Sequence, residues 1–148
     1  MVTLVGTQSE FNDALYELLE LEYDALEAYK VAIDRLEDPM YRNQLAEYKA
    51  DHERHIRELT TLLHQHCVTV PKGPSSKQWL AKGKIVLADL IGDYTILAAM
   101  RSNEEDTNTA YERINNHANQ WPDALAIISR AREDEKHHKA WLDSVLSS

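Results

Sequence analysis

Apolar residues recur every three to four positions along four long segments of this chain, and this periodicity is the strongest constraint on its fold. A spacing of 3.6 residues places such side chains on one face of an α-helix. Helix-breaking residues are rare, since the 148 residues include only four Gly and four Pro. The sequence therefore predicts an all-α protein. A length of 148 residues suits one domain, residues 1–148, with a core over about residues 7–146.

The first two helices are predicted on either side of a proline. Helix one is expected to start near Thr7, because Thr7 and Glu10 have the spacing of a capping box, and to end before Pro39. Helix two is expected to run from about Met40 to Gln65. The short connection between them predicts antiparallel neighbours.

The second half repeats this organisation after a long connection. The stretch Val68–Ser76 is rich in Pro, Gly and Ser and is predicted to be the main loop. A helical pattern resumes around Lys77, with Gly83 as a possible break.

The third helix is then predicted to run through Val86, Leu90 and Leu97 and to end before Pro122. The fourth is predicted over residues 123–146, with an apolar face that begins at Leu125 and Ile128. The predicted architecture is a four-helix bundle of two antiparallel hairpins joined by a long crossover.

An internal repeat relates the two halves. Glu22 and Tyr29 correspond to Glu104 and Tyr111 at an offset of 82 positions. Beyond the turn, Pro39, His52 and His55 correspond to Pro122, Glu135 and His138 at an offset of 83 positions. The match predicts two copies of one hairpin, related by an approximate two-fold axis.

Six of these polar positions fall on the apolar faces of the predicted helices. They are Glu22, His52, His55, Glu104, Glu135 and His138. A carboxylate in an apolar core costs several kcal/mol unless it is paired or coordinated. Any one of the six alone would be better explained as a hydrogen-bonded core histidine or a solvent-facing glutamate. As a symmetric set they predict a site for one or two divalent metal ions.

Other polar residues have simpler interpretations. Tyr29 and Tyr111 are predicted to be core residues or hydrogen-bond donors to the ligands. Asp134 is expected to face solvent. Surface positions are predicted for His64, His66, His117 and His137. Cys67, the single cysteine, cannot form an intramolecular disulfide and is interpreted as a half-buried small residue.

The chain resembles a known ligand pattern: one Glu from each of two helices and a Glu-x-x-His motif from each of the other two. It is that of the ferritin-like di-iron and di-manganese carboxylate proteins, and the chain looks most like the small rubrerythrin-related bundles. The resemblance implies a ferritin-like four-helix bundle. It implies terminal ligation by Glu22 and Glu104, ligation through one ring nitrogen by His55 and His138, and bridging by Glu135.

Position 52 departs from that pattern, because the family has Glu where this chain has His52. Three carboxylates leave one positive charge uncompensated beside two divalent ions, and a hydroxide or bound anion restores the balance. One potential bridge is also lost. The sequence leaves open a single metal or an asymmetric pair, with His52 either replacing the second bridge or taking no part.

Charge and hydropathy restrict the partners. A formal net charge of −9 argues against sequence-independent binding to nucleic acid or anionic membrane. The sequence has no apolar run long enough to span a membrane, and residues 1–12 lack the basic and apolar regions of a signal peptide. A cytoplasmic location is therefore expected.

The predicted function is metal binding, with iron or manganese favoured by the mixed oxygen and nitrogen donors and with oxidase or peroxidase-type chemistry as the activity. Zinc remains an alternative metal. The rival interpretation is a metal-free helical scaffold or interaction module that keeps a polar core. Iron storage would need a large closed shell. A homo-oligomer is compatible with the sequence.

Overall fold

Four long α-helices make up most of the residues described by the structure, a computed structural model that covers residues 3–73, 87 and 89–147. They are α1 (Phe11–Arg35), α2 (Pro39–Gln65), α3 (Asp93–Asn115) and α4 (Pro122–Leu146), and a short 3-10 helix, Ala118–Gln120, precedes α4. The described residues contain no β-strand. None of these helices combines the length and the apolar character of a membrane span. The prediction of an all-α fold is confirmed.

Short connections, residues 36–38 and 116–121, join α1 to α2 and α3 to α4, and the members of each pair pack together as an antiparallel hairpin. The two hairpins meet where α1 packs against α3 and α2 packs against α4. At one end, the Asp93 carboxylate accepts hydrogen bonds from the backbone N–H groups of Glu37 (2.8 Å) and Asp38 (2.9 Å). At the other end, the His66 ring lies 2.9 Å from the Asp123 carboxylate. The α2–α3 connection, residues 66–92, therefore begins and ends at opposite ends of the bundle. The predicted crossover topology is confirmed.

The predicted start of the first helix is wrong by four residues. The Thr7 hydroxyl and backbone N–H both donate to the Leu4 carbonyl, at 2.5 Å and 3.1 Å. These bonds close a turn before the helix, so Thr7 cannot cap it. The helix begins at Phe11 after Glu10, whose side chain forms no capping hydrogen bond.

The third helix starts later than the apolar pattern predicts. Leu90 was expected within it, but α3 begins at Asp93. Gly92 precedes it with φ +94°, a left-handed conformation that a helix cannot contain and that glycine adopts without strain. The predicted helical signal at Lys77, the break at Gly83 and the predicted helix position of Val86 lie outside the described residues.

Two apolar clusters fill the bundle and leave a polar layer between them. One includes Leu15, Leu18, Leu59, Leu62, Ile114 and Ile128. The other includes Ala32, Leu45, Leu97, Met100 and Leu142. On α4 the predicted apolar face is shifted by one residue at its start, because Leu125 is 46% exposed while Ala124 and Ile128 are buried. The polar layer between the clusters holds the candidate site.

Candidate metal centre

The six polar residues singled out by the repeat lie together in the layer between the two apolar clusters. Each is at most 1% exposed: Glu22 on α1, His52 and His55 on α2, Glu104 on α3, and Glu135 and His138 on α4. The helical spacing explains this, since residues three apart on α2 and on α4 share a face. The structure thus buries three carboxylates and three imidazoles in one volume.

Two buried tyrosines hold the glutamates of α1 and α3 reciprocally. The Tyr111 hydroxyl donates to Glu22 Oε1 at 3.0 Å, and the Tyr29 hydroxyl donates to Glu104 Oε1 at 2.6 Å. Burial and the neighbouring carboxylates raise the pKa of both tyrosines well above the usual value. Both phenols therefore stay protonated and act as donors. Each bond joins α1 to α3 and fixes the orientation of one carboxylate.

His55 and His138, the last residues of the two repeated motifs, are oriented by aspartates that lie outside the cluster of six. His55 Nε2 donates to Asp134 Oδ2 at 2.9 Å, and His138 Nε2 donates to Asp51 Oδ2 at 2.8 Å. Each bond joins α2 to α4. The Nδ1 atoms of His55 and His138 face the interior and have no hydrogen-bond partner. A carboxylate bound to the outer nitrogen of a histidine is the usual support of a metal-binding imidazole.

These aspartates correct the sequence interpretation. Asp134 was expected to face solvent, but its side chain is 25% exposed and is held by His55. Asp51 was not singled out, although it matches Asp134 at the same offset of 83 positions as the other residues beyond the turn. That offset was the available signal. Arg54 is paired with both, through Asp51 Oδ1 at 3.2 Å and through Asp134 Oδ2. The Arg54 guanidinium therefore connects the two aspartates that hold His55 and His138.

Glu135 and His52 occupy equivalent positions but make different contacts. Glu135 Oε1 lies 3.3 Å from His55 Nδ1 and Glu135 Oε2 lies 3.5 Å from His138 Nδ1, and neither oxygen has a hydrogen-bond partner. His52 is bonded on both sides, with Nδ1 2.8 Å from Glu22 Oε2 and Nε2 3.3 Å from Glu104 Oε1. Glu135 thus faces His55 and His138, with Oε1 also 3.5 Å from His52 Nδ1, whereas His52 is hydrogen-bonded to Glu22 and Glu104.

The pKa values of the carboxylates reflect this pairing. Burial alone would raise the pKa of Glu22, but the positive charges of His52 and His55 lower it to about 2. Burial and the charge of Glu104 raise the pKa of Glu135 to about 7. Glu22 is therefore ionised, and Glu135 is the carboxylate whose charge is least compensated by the protein.

The histidines show the opposite shift. Burial would lower the pKa of His55, but the Glu22 charge and the hydrogen bond to Asp134 raise it to about 11. Burial is likewise outweighed at His138, where the hydrogen bond to Asp51 raises the pKa to about 12. Burial would also lower the pKa of His52, but the charges of Glu135 and Glu22 raise it well above its usual value. In the metal-free protein the imidazoles are the counter-ions of the carboxylates.

These shifts predict a loss of stability of the metal-free protein on the alkaline side. The pKa of His55 is about 11 when folded and 6.5 as the reference value, so its contribution is complete below pH 6.5 and disappears as pH rises towards 11. Each net proton changes the free energy of unfolding by up to about 1.4 kcal/mol per pH unit. In the presence of a chelator, the free energy of unfolding should fall between pH 6.5 and pH 9. With excess metal it should fall less or rise, because metal replaces protons on the same nitrogens. Denaturant titrations at several pH values measure both slopes, and parallel slopes would contradict this interpretation.

The donor atoms suit a metal ion. Two groups of four residues place one donor atom each within 4.8 Å of one another: Glu22, His52, His55 and Glu135, and His52, Glu104, Glu135 and His138. The buried atoms without a hydrogen-bond partner include both inner histidine nitrogens, both Glu135 oxygens and Glu104 Oε2. Buried nitrogen and oxygen atoms without a hydrogen-bond partner are costly unless a cation coordinates them. The cluster can therefore hold a metal ion.

The remaining histidines and the cysteine lie away from this cluster. His64, His117 and His137 are exposed, as predicted. His66 is partly buried instead, because its ring stacks on Trp121 with centroids 3.6 Å apart and contacts Asp123. Cys67 is exposed rather than half-buried and has φ +57° at the end of α2.

Comparison with known proteins gives a family and a fold. The family described as "Domain of unknown function (DUF2383)" matches residues 10–117, which include Glu22, His52, His55 and Glu104. The crystal structure of a conserved hypothetical protein, rv2844, from Mycobacterium tuberculosis is similar, with a TM-score of 0.77 and 18% identity. The similarity covers 94% of this chain and 99% of that one, and at such identity it shows the fold alone. No curated protein matches the chain significantly.

Proposed function

This chain belongs to the DUF2383 family, whose description assigns no function, and we propose that it is a metal-binding protein of the ferritin-like superfamily. One observation carries the proposal. The inner nitrogens of His55 and His138, both oxygens of Glu135 and one oxygen of Glu104 are buried together without hydrogen-bond partners. Without metal the histidine nitrogens and the Glu135 oxygens meet as ion pairs at 3.3–3.5 Å but form no hydrogen bonds, and a bound cation would satisfy them all.

The ligand roles follow from which atoms face the interior. His55 and His138 would bind metal through Nδ1, because Asp134 and Asp51 accept hydrogen bonds from Nε2. Glu135 would bind metal through both oxygens, since Oε1 faces His55 and Oε2 faces His138. Glu22 and Glu104 are the terminal carboxylates, and Tyr111 and Tyr29 orient them.

The donor set favours iron or manganese, because carboxylates and imidazoles in roughly equal number suit these ions, and zinc also binds such donors. A bound pair of iron or manganese ions would supply oxidase or peroxidase-type chemistry. The protein's own contribution is positioning and exclusion of water. The apolar clusters on both sides of the polar layer keep all six residues at most 1% exposed.

A metal-free scaffold is the second candidate, and the contacts of His52 favour it. The ring pairs with Glu22 at 2.8 Å and with Glu104 at 3.3 Å, so part of the polar layer is satisfied within the protein. Such a protein would act as a scaffold or interaction module through its surface, and its polar core would only stabilise the fold. It would leave the unpaired atoms of His55, His138 and Glu135 without a partner, which is why metal binding is preferred.

Elemental analysis decides between these two functions. Protein purified without chelator, and protein reconstituted with iron, manganese or zinc, should contain one or two ions per chain. The exposed residues His64, His117 and His137 provide the control, because a variant with all three changed to Gln should keep the same stoichiometry. A ratio near zero after reconstitution, or one that disappears in this variant, would favour the scaffold. Oxygen consumption during addition of iron(II) would then test the oxidase activity separately.

A further inference from the structure

The two halves of the centre are not equivalent. We define the Glu22 half-site as Glu22, His55 and Glu135 Oε1, and the Glu104 half-site as Glu104, His138 and Glu135 Oε2. A two-fold axis would make them identical, since the sequence repeat relates their residues in pairs. His52 breaks this symmetry because its ring lies closer to one glutamate than to the other.

The hydrogen bonds of the two terminal glutamates differ accordingly. Both oxygens of Glu22 are engaged, Oε1 by Tyr111 at 3.0 Å and Oε2 by His52 at 2.8 Å. In Glu104, Oε1 accepts from Tyr29 at 2.6 Å and lies 3.3 Å from His52 Nε2. Glu104 Oε2 has no partner. An ion therefore finds a free terminal oxygen in the Glu104 half-site only.

The contacts of the inner nitrogens, Nδ1 of His55 and of His138, also favour the Glu104 half-site over the Glu22 half-site. His55 Nδ1 lies 3.4 Å from Glu22 Oε2, the oxygen that His52 already occupies. His138 Nδ1 lies 3.6 Å from Glu104 Oε1. Binding in the Glu22 half-site competes with a short, buried, charge-assisted hydrogen bond, which is among the stronger polar contacts in a protein. Binding in the Glu104 half-site keeps the Glu22–His52 pair intact.

We propose that metal binds in a fixed order, first in the Glu104 half-site and then, more weakly, in the Glu22 half-site, because His52 holds Glu22. This inference rests on the proposed function and specifies how that site is filled. It assigns His52 a positioning role. The first ion is bound by Glu104, Glu135 and His138, and the second requires His52 to release Glu22.

The repeat supplies a matched pair of variants as the test. Glu22→Gln and Glu104→Gln remove the same charge at equivalent positions, and competition with a chromophoric chelator measures the dissociation constant of Zn²⁺ for each. Glu22→Gln should change the tighter constant by less than about threefold. Glu104→Gln should weaken it by roughly tenfold or more, because loss of a residue that merely supports a metal ligand already weakens binding by about 10–100-fold. The pair His55→Ala and His138→Ala should divide in the same way, which keeps the test valid if either Gln variant fails to fold.

The order can also be observed directly. When Zn²⁺ is added below one equivalent, the Nδ1 resonance of His138 should shift before that of His55 in ¹⁵N spectra of wild-type protein. Equal losses in the two variants of a pair, a larger loss for Glu22→Gln, or simultaneous shifts of both histidines would overturn the proposed order while metal binding itself stands. Absence of any Zn²⁺ binding to the wild-type chain would overturn both the order and the proposed function.

Discussion

Divalent metal should raise the melting temperature of the wild-type chain by about 5–11 °C when free metal is roughly 100-fold above its dissociation constant. The reason is that metal binds the folded bundle but finds no preassembled set of ligands in the unfolded chain. Glu104→Ala should abolish most of this increase, because Glu104 offers the terminal oxygen that no protein group occupies. Differential scanning calorimetry with iron, manganese or zinc under anaerobic conditions measures the effect.

The neighbouring glutamate on α3 is the control. Glu105 is exposed whereas Glu104 is 1% exposed, so Glu105→Ala removes the same charge from the same helix without reaching the core. This variant should keep the full metal-induced increase. Equal increases in wild type, Glu104→Ala and Glu105→Ala would show that the metal binds adventitiously at the surface.

His52→Glu should have two opposite effects on stability. Without metal it replaces a counter-ion with a fourth buried carboxylate, and the fold should lose on the order of 1–3 kcal/mol. With metal it balances the charge of two divalent ions, adds a second bridge and frees Glu22 from its 2.8 Å bond to position 52. Two-ion occupancy and the rate of iron(II) oxidation should therefore increase. Elemental analysis and melting temperatures with and without metal measure both effects.

His52→Gln separates the loss of the imidazolium from the gain of a carboxylate, because it removes the positive charge at position 52 without adding a negative one. It should lose stability without metal, as His52→Glu does, but it should not gain two-ion occupancy to the same extent. If His52→Glu is less stable and binds no more metal than wild type, the packing around position 52 has adapted to a centre with one ion or none. That result would count against the dinuclear interpretation.

The sequence predicted the position of the six core residues because helical periodicity and the repeat gave the same answer. Glu22 and Glu104 could be placed from their apolar neighbours at three and four positions. Periodicity does not report contacts between helices, however. Asp134 can face solvent or contact His55, depending on how closely α4 packs beside α2. The residue pattern along α4 does not report that distance. The offset of 83 positions to Asp51 was the only sequence signal for this pair.

Helix ends were harder to predict than helix faces, for a local reason. Thr7 has the side chain of a helix cap, but the hydroxyl can satisfy a turn as well, and here it bonds to Leu4. At the start of α3, the apolar rhythm continues through Leu90 even though the backbone at Gly92 is left-handed. An apolar residue outside a helix can still pack on the core, and Leu90 does so. Periodicity alone therefore places Leu90 correctly in the core but wrongly in the helix.

Each half-site takes its residues from both hairpins, and this has a consequence for how such a chain can change. Tyr111 supports Glu22, and Asp134 supports His55, so a single hairpin would need a second copy of itself to complete the set. In a dimer of identical hairpins, any substitution at a ligand position would occur twice, once in each subunit. In this chain the two copies are encoded separately, so position 52 can become His while position 135 stays Glu. Joining the copies in one polypeptide would allow the two proposed half-sites to acquire different metal affinities by single mutations.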